Sequence, residues 1–194
     1  MRNSFITDAD RFLALLEPLE RDLERYSRRL IWEPQEAPDA LQNAVLRAFA
    51  AFDRYHEDAS FRAWIFRILT NEVFALNRKH ARIARHEFQL EPEELEGLVG
   101  TALDGADGEA MPTPEVLAER MEPELAAALK TLTDAERAVL LLRALGELRY
   151  RDIAESLDMP LGSVMGHLAR ARLKTRLALA RHQTTHDSSK VSPP

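Results

Sequence analysis

The sequence predicts an all-α protein: two small helical bundles, the second containing a helix-turn-helix, joined by an acidic flexible linker. Three observations lead there. Apolar residues recur at steps of three and four through most of the chain. Glycine is scarce, at seven in 194 residues, while Ala, Leu, Arg and Glu are plentiful and long β-branched runs are missing. Charge is segregated: residues 87–124 carry a net -11, whereas residues 60–86 and 161–182 each carry +5, so the overall -6 describes neither kind of segment.

The first bundle is predicted over residues 1–86. Phe12, Leu15, Leu16, Leu19, Leu23, Tyr26 and Leu30 share one helical face. Pro18 must kink that helix or begin a second one, because its ring clashes with the preceding turn and it has no amide to donate. After the loop WEPQEAP, Leu41, Val45, Ala48, Phe49 and Phe52 repeat the stripe, with Asp39 placed to cap its start. A third helix follows Ser60, another candidate cap, and carries Phe61, Trp64, Ile65, Ile68, Leu69, Val73 and Leu76 on one face.

Residues 87–122 hold most of the glycines, a Met-Pro-Thr-Pro run at 111–114 and dense acids with little periodicity, and read as a mobile linker. The second bundle is predicted over residues 123–182. Within it Thr133-Asp134-Ala135-Glu136 is a capping box, in which hydroxyl and carboxylate each satisfy an orphan amide. Ala138, Leu141, Leu142 and Leu145 form the buried stripe of that helix, and Gly146 suits its C-cap. Helices near 150–157 and 161–180 complete the bundle, and residues 183–194 read as a disordered tail.

Residues 150–177, YRDIAESLDMPLGSVMGHLARARLKTRL, carry the most informative pattern. Two helices crossing steeply need a small residue where they meet and apolar residues at the corner; Ala154 is small, Ile153 and Leu157 face inward, Met159 fills the corner, Pro160 pre-sets the turn, and Val164 and Leu168 seat the second helix. A plain helical hairpin shares these steps, so the distinguishing feature is charge. The second helix is cationic without a single acid, which suits polyanionic DNA through counterion release. Ser163, Met165, Gly166 and His167, near its N-terminus, are placed to reach base edges; Arg170, Arg172, Lys174 and Arg176 are placed to grip phosphates, with Arg149 and Arg151 holding the flanking backbone. Each later Arg taken singly is equally a solvated face. The segment SFRAWIFRILTNEVFALNRKHARIAR mixes aromatic and basic residues, which can stack bases and track a single strand. Phe61 and Trp64 sit on the core stripe, so the polar Asn71, Asn77, Arg78 and Lys79 are the better contacts.

Other classes find little support. With no cysteine there is no disulfide or thiolate metal site, the six His form no ligand cluster, and no cofactor or catalytic constellation is expected. The N-terminus lacks an apolar signal core and no run is long enough to span a bilayer, so a soluble cytoplasmic protein without membrane insertion is expected.

Two segments together resemble one family, the extracytoplasmic-function (ECF) group of bacterial RNA polymerase sigma factors. DALQNAVLRAFAAFDRYHEDASFRAWIFRILTNEVFALNRKHAR resembles sigma region 2, and LKTLTDAERAVLLLRALGELRYRDIAESLDMPLGSVMGHLARARLKTRL resembles sigma region 4. The resemblance implies a promoter-recognition subunit rather than an enzyme, with core RNA polymerase, promoter DNA and an anti-sigma factor as partners. It implies that Asp39, Gln42, Asn43 and Arg47 dock on core polymerase. It further implies that the loop from Tyr55 through His56 to Ser60, with Asn71, Asn77, Arg78, Lys79 and Arg82, captures and melts the -10 element, while the 161–176 helix reads the -35 element. Two departures stand out: Asn43 where the family commonly has an acid, and Met165-Gly166-His167 where it commonly has a basic-polar-basic trio, so the expected -35 preference is unusual or weak. A sigma-like decoy that sequesters an anti-sigma factor without binding promoters, and an ordinary helix-turn-helix repressor, are the rival expectations.

Overall fold

The computed structural model describes residues 7–56, 60–88 and 122–188. Among them run eight α-helices: α1 (Asp8–Leu16), α2 (Glu20–Leu30), α3 (Ala37–Ala50), α4 (Phe61–Phe88), α5 (Glu122–Lys130), α6 (Asp134–Ala144), α7 (Tyr150–Leu157) and α8 (Leu161–Ser188). The all-α expectation holds, and most helix ends follow from local chemistry. Thr7 and Asp10 form a capping box that starts α1. Pro18 sits in a 3-10 turn, Glu17–Leu19, so it separates two helices instead of kinking one. At Ser60 the hydroxyl accepts the Ala63 amide at 3.4 Å and the carbonyl accepts that of Trp64 at 3.0 Å. Asp39 is not a cap: a 3-10 turn at Pro34–Glu36 starts the helical path early, α3 begins at Ala37, and Asp39 lies in its first turn, where its charge still suits the helix dipole.

In the first lobe, Leu23, Tyr26 and Leu30 of α2 are buried against Ile65, Phe66, Leu69 and Val73 of α4. Thr70 donates its hydroxyl hydrogen to Phe66 O at 2.7 Å, which leaves its oxygen to accept from the buried Tyr26 hydroxyl at 2.6 Å. The buried stripe of α3 differs from expectation. Ala37, Ala40, Ala44 and Ala48 face the core, Leu41 and Val45 are half-buried, and Phe49 is 46% exposed. Small side chains let α3 approach closely, and the larger apolar residues flank that contact.

The second lobe gathers α5 to α8. The Thr133–Glu136 capping box is present, with Thr133 N–H donating to Glu136 Oε2 at 3.0 Å. Gly146 follows the helix end rather than supplying the left-handed residue; the positive φ of 52° falls on Glu147. Glycine is required there for space, since a Cβ would lie 2.7 Å from the Leu142 carbonyl oxygen. Asp158, at φ 50°, ends α7, and the Met159 amide returns to Ala154 O at 3.0 Å, making the tight corner. Ile153, Val164, Leu168 and Ala171 are buried beneath it. Helix α8 runs on to Ser188, so residues 183–188 of the expected tail are helical; an unbroken stretch without Gly or Pro gives no reason to stop at 182. Residues 89–121 of the expected linker and 189–194 of the tail lie outside the described residues.

The lobes pack together, α2 on α6 and α4 on α7, and their buried apolar residues form one continuous cluster. Polar contacts stitch the seam. Arg62 Nη1 donates to Asp22 Oδ2 at 3.2 Å, Gly146 O at 3.3 Å and Leu145 O at 3.4 Å, and stands 3.7 Å from Glu147 Oε2. Trp32 Nε1 donates to Asp134 Oδ1 at 2.9 Å.

Candidate nucleic-acid and polymerase interfaces

Three helical faces carry the residues singled out from the sequence. On α4, Asn71, Arg78 and Arg82 are exposed and fall seven and four residues apart, so they line one stripe; Lys79 is exposed beside it. Arg67, four residues before Asn71, is also exposed and extends the stripe. Asn77 points the other way. It is 1% exposed, its Oδ1 accepts the Trp32 amide at 3.0 Å and its Nδ2 donates to Leu30 O at 3.4 Å, so it fixes the chain leaving α2 and is not presented to a ligand. Its spacing held the signal, since Leu69, Val73 and Asn77 follow one another every four residues along the core stripe. Ser60 and His56 are exposed near the start of this helix. Tyr55 is half-buried in an aromatic cluster, stacked on Phe52 at 5.8 Å and tilted against Trp64 at 5.3 Å.

On α3, Asp39, Gln42, Asn43 and Arg47 are all exposed and mark the outer face of the first lobe. Arg47 leans on the buried Glu72, its Nε 3.2 Å from Oε2. Leu46, 59% exposed, sits among these polar residues.

The geometry of α8 divides its candidates. Ser163, Gly166, His167, Arg170 and Lys174 share one side of the helix, and Met165, Arg172 and Arg176 lie on the other, with the buried Val164, Leu168 and Ala171 between them. Met165 is 48% exposed. Two of the cations already have a partner within the lobe. Lys174 Nζ donates to Glu136 Oε2 at 2.8 Å and Oε1 at 3.1 Å, and Arg170 Nε stands 3.4 Å from Oε1. Burial alone would raise the Glu136 carboxyl above its ordinary value, but the Lys174 ammonium and the Thr133 amide and hydroxyl outweigh it and hold the group lower. His167 is held below its ordinary value by burial and by Arg170, whose Nη2 lies 3.1 Å from Nδ1, with Glu136 opposing. Arg172 and Arg176 are exposed, as are Arg149 and Arg151 at the start of α7. Nothing on the sequence marked Glu136 as the anchor of the cationic helix beyond its capping role.

Among the described residues no helix is long and apolar enough to cross a membrane. The descriptions of Sigma-70 region 2 and of Sigma-70, region 4 match residues 15–83 and 123–175. The chain is 26% identical to the ECF RNA polymerase sigma factor SigW of Bacillus subtilis, over 89% of this chain and 90% of that protein. It is 30% identical to the RNA polymerase sigma-H factor of Pseudomonas aeruginosa, over 74% of this chain and 73% of that one. Among solved structures it is similar to the sigma factor RpoE in complex with the anti-sigma factor NepR from Bartonella quintana, with TM-score 0.68, 21% identity, and 88% and 97% of the two chains covered. It is also similar to CnrH in complex with the cytosolic domain of CnrY, with TM-score 0.58, 22% identity and 88% of each chain covered. Two sigma regions in their proper order, and relatives aligned along most of their length, place this chain in the ECF group of the sigma-70 family, a promoter-directing RNA polymerase sigma factor.

Proposed function

We propose that the chain docks on core RNA polymerase through the outer face of α3 and delivers it to promoters, where the α4 stripe takes the -10 element and the helix-turn-helix of α7 and α8 takes the -35 element. One observation carries this reading: a single chain exposes two separate basic helical faces, each on a lobe that matches a different sigma region. Arg67, Asn71, Arg78 and Arg82 form a track suited to one strand, and the neighbouring Tyr55 and Trp64 rings offer a surface for a base leaving the stack. Unstacking a base costs a few kcal/mol, so a receiving site beside the track makes local opening of the duplex affordable. Asp39, Gln42, Asn43 and Leu46 supply a mixed polar and apolar patch for the polymerase, with Arg47 at its edge.

At the -35 element, Ser163, Gly166 and His167 face the major groove from one side of α8 and Met165 from the other, and Arg172 and Arg176, with Arg149 and Arg151, hold phosphates. Arg170 and Lys174 share their charge with Glu136, so they contribute less than their number suggests. With His167 held neutral as well, this surface discriminates weakly, and a selection for -35 sequences should return a degenerate or unusual one. Recovery of an ordinary sigma-type -35 sequence at full affinity would overturn that expectation. The chain acts as a regulator and not as a catalyst, in the cytoplasm with the polymerase. The structurally similar sigma factor RpoE from Bartonella quintana was captured with the anti-sigma factor NepR, and we extend that class of partner to this chain.

Run-off transcription with purified core polymerase tests the reading. Start-site selection that disappears when Arg78 and Arg82 become Glu supports it. Binding to an anti-sigma factor without any association with polymerase would instead leave a sigma-shaped decoy.

A further inference from the structure

Between α2 and the α5–α6 corner lies a cleft of about 920 Å³, none of whose lining residues belongs to the three faces above. The α2 wall brings Arg21, Arg25 and Arg28, and the α5 wall brings Lys130. Glu24 is the one acid among the lining residues, and it is already paired with Arg28 at 2.8 Å. Arg137 of α6 also lines the cleft and is 8% exposed. Its Nε donates to Leu129 O at 3.0 Å, and no ion pair joins it to a described carboxylate; burial pulls its guanidinium below the ordinary value, with only the nearby charge of Asp134 opposing. A buried cation without a counter-charge is costly, and Arg137 sits beside the exposed Arg21, Arg25 and Lys130 around one cleft, an arrangement suited to an anion. Guanidinium forks match phosphate oxygens in pairs. The volume falls in the range of small-molecule sites, far below what a folded partner or a duplex needs. Trp32, 41% exposed, stands in the same wall as Ile31 and Pro34 and offers a ring for stacking.

We propose that this cleft binds a polyphosphate group through Arg25, Arg28, Lys130 and Arg137, and that Trp32 stacks on the base when the group belongs to a nucleotide. The two walls belong to different lobes, so the ligand clamps them together, and separating the lobes dismantles its site. This goes beyond promoter recognition and uses none of its residues.

Calorimetric titration of the full chain with ATP, GTP and inorganic tripolyphosphate, at matched ionic strength and without divalent metal, tests it. The expected result is one saturable site for all three, a raised melting temperature on binding, and affinity at least about tenfold lower in Arg25→Glu/Lys130→Glu. Both positions are exposed, and circular dichroism confirms that the variant folds. Trp32→Ala should bring the nucleotides down to the affinity of tripolyphosphate. Equal affinity for all three in the unaltered chain supports the phosphate site with an inorganic ligand and overturns the stacking role. No saturable heat, binding that survives the double charge reversal, or saturation by polyglutamate alone would overturn the proposal.

Discussion

Glu136 shows how one residue serves both the stability of a lobe and the charge of its cationic helix α8. Its side chain is 3% exposed and closes the capping box of α6 while pairing with Lys174 and Arg170. Lys174→Met leaves the buried carboxylate with only the longer Arg170 contact and should cost about 2 kcal/mol, less than breaking a fully buried pair because Lys174 is 41% exposed and Arg170 remains. Glu136→Gln in the same chain should recover part of that loss, and chemical denaturation of the four proteins in the cycle measures the coupling; strict additivity would remove the pair from the account. The sign with pH follows. Because the folded carboxyl titrates below its ordinary 4.5, the stabilisation is complete above that value and is lost as pH falls through the folded one. His167 acts in a separate window. Its folded value is depressed below 6.5, so the neutral form is favoured, and stability present above 6.5 declines on acidification through that value. His167→Gln should flatten the pH dependence that sets in on acidification through 6.5 and leave the lower, Glu136 limb intact.

At the scale of elements, Gly166 in α8 is the informative position. Glycine inside a helix costs about 1 kcal/mol relative to alanine, and here a Cβ would meet only the tip of Arg170, at 3.3 Å from Nη1. Gly166→Ala should therefore raise the melting temperature of the chain by a few degrees. If α8 enters the groove at this point, the same change weakens binding to -35 duplex; a stabilised variant with undiminished DNA affinity would remove the close approach from the mechanism. Gly146 is the contrast, since its Cβ would strike a backbone oxygen that cannot move. Helices such as α2 and α4 were legible because Leu23, Tyr26 and Leu30, or Ile65, Leu69 and Val73, repeat with the helical period. The inner face of α3 was not, because alanine is at home both in a tight helix contact and on a surface, so periodicity favoured the larger Val45 and Phe49. For the same reason Lys174 and Arg170 read as free cations: their partner Glu136 is distant in sequence and only the fold brings it near. Asn77 was legible in its spacing, but its polarity drew it into the surface set.

For the whole molecule, size sets a requirement on the seam between the lobes. Elements centred at -10 and -35 are about 25 base pairs apart, roughly 85 Å along B-form DNA, whereas a compact chain of this length has a radius of gyration near 16 Å, by ~2.2·N^0.38. The packed arrangement cannot touch both at once, and the lobes must part for both to engage. A chain of the length that separates α4 from α5 can span at most about 120 Å, which is sufficient. What must give way is the α2–α6 and α4–α7 packing, together with the polar stitches made by Arg62 and Trp32. Arg62 is the better target, since one guanidinium holds Asp22 of the first lobe and both Gly146 O and Glu147 of the second, at 26% side-chain exposure. Its removal should shift the closed-to-open ratio by about tenfold, the equivalent of some 1.4 kcal/mol, and added salt should have a smaller effect in the same direction because the pairs are partly solvated. Small-angle scattering of Arg62→Ala should then show a larger radius of gyration than the unaltered chain, while circular dichroism reports the same helix content. If the variant stays as compact as the parent but loses helix, Arg62 holds a lobe together instead of joining two. If it opens without binding core polymerase any faster, separation of the lobes is not the step that limits assembly.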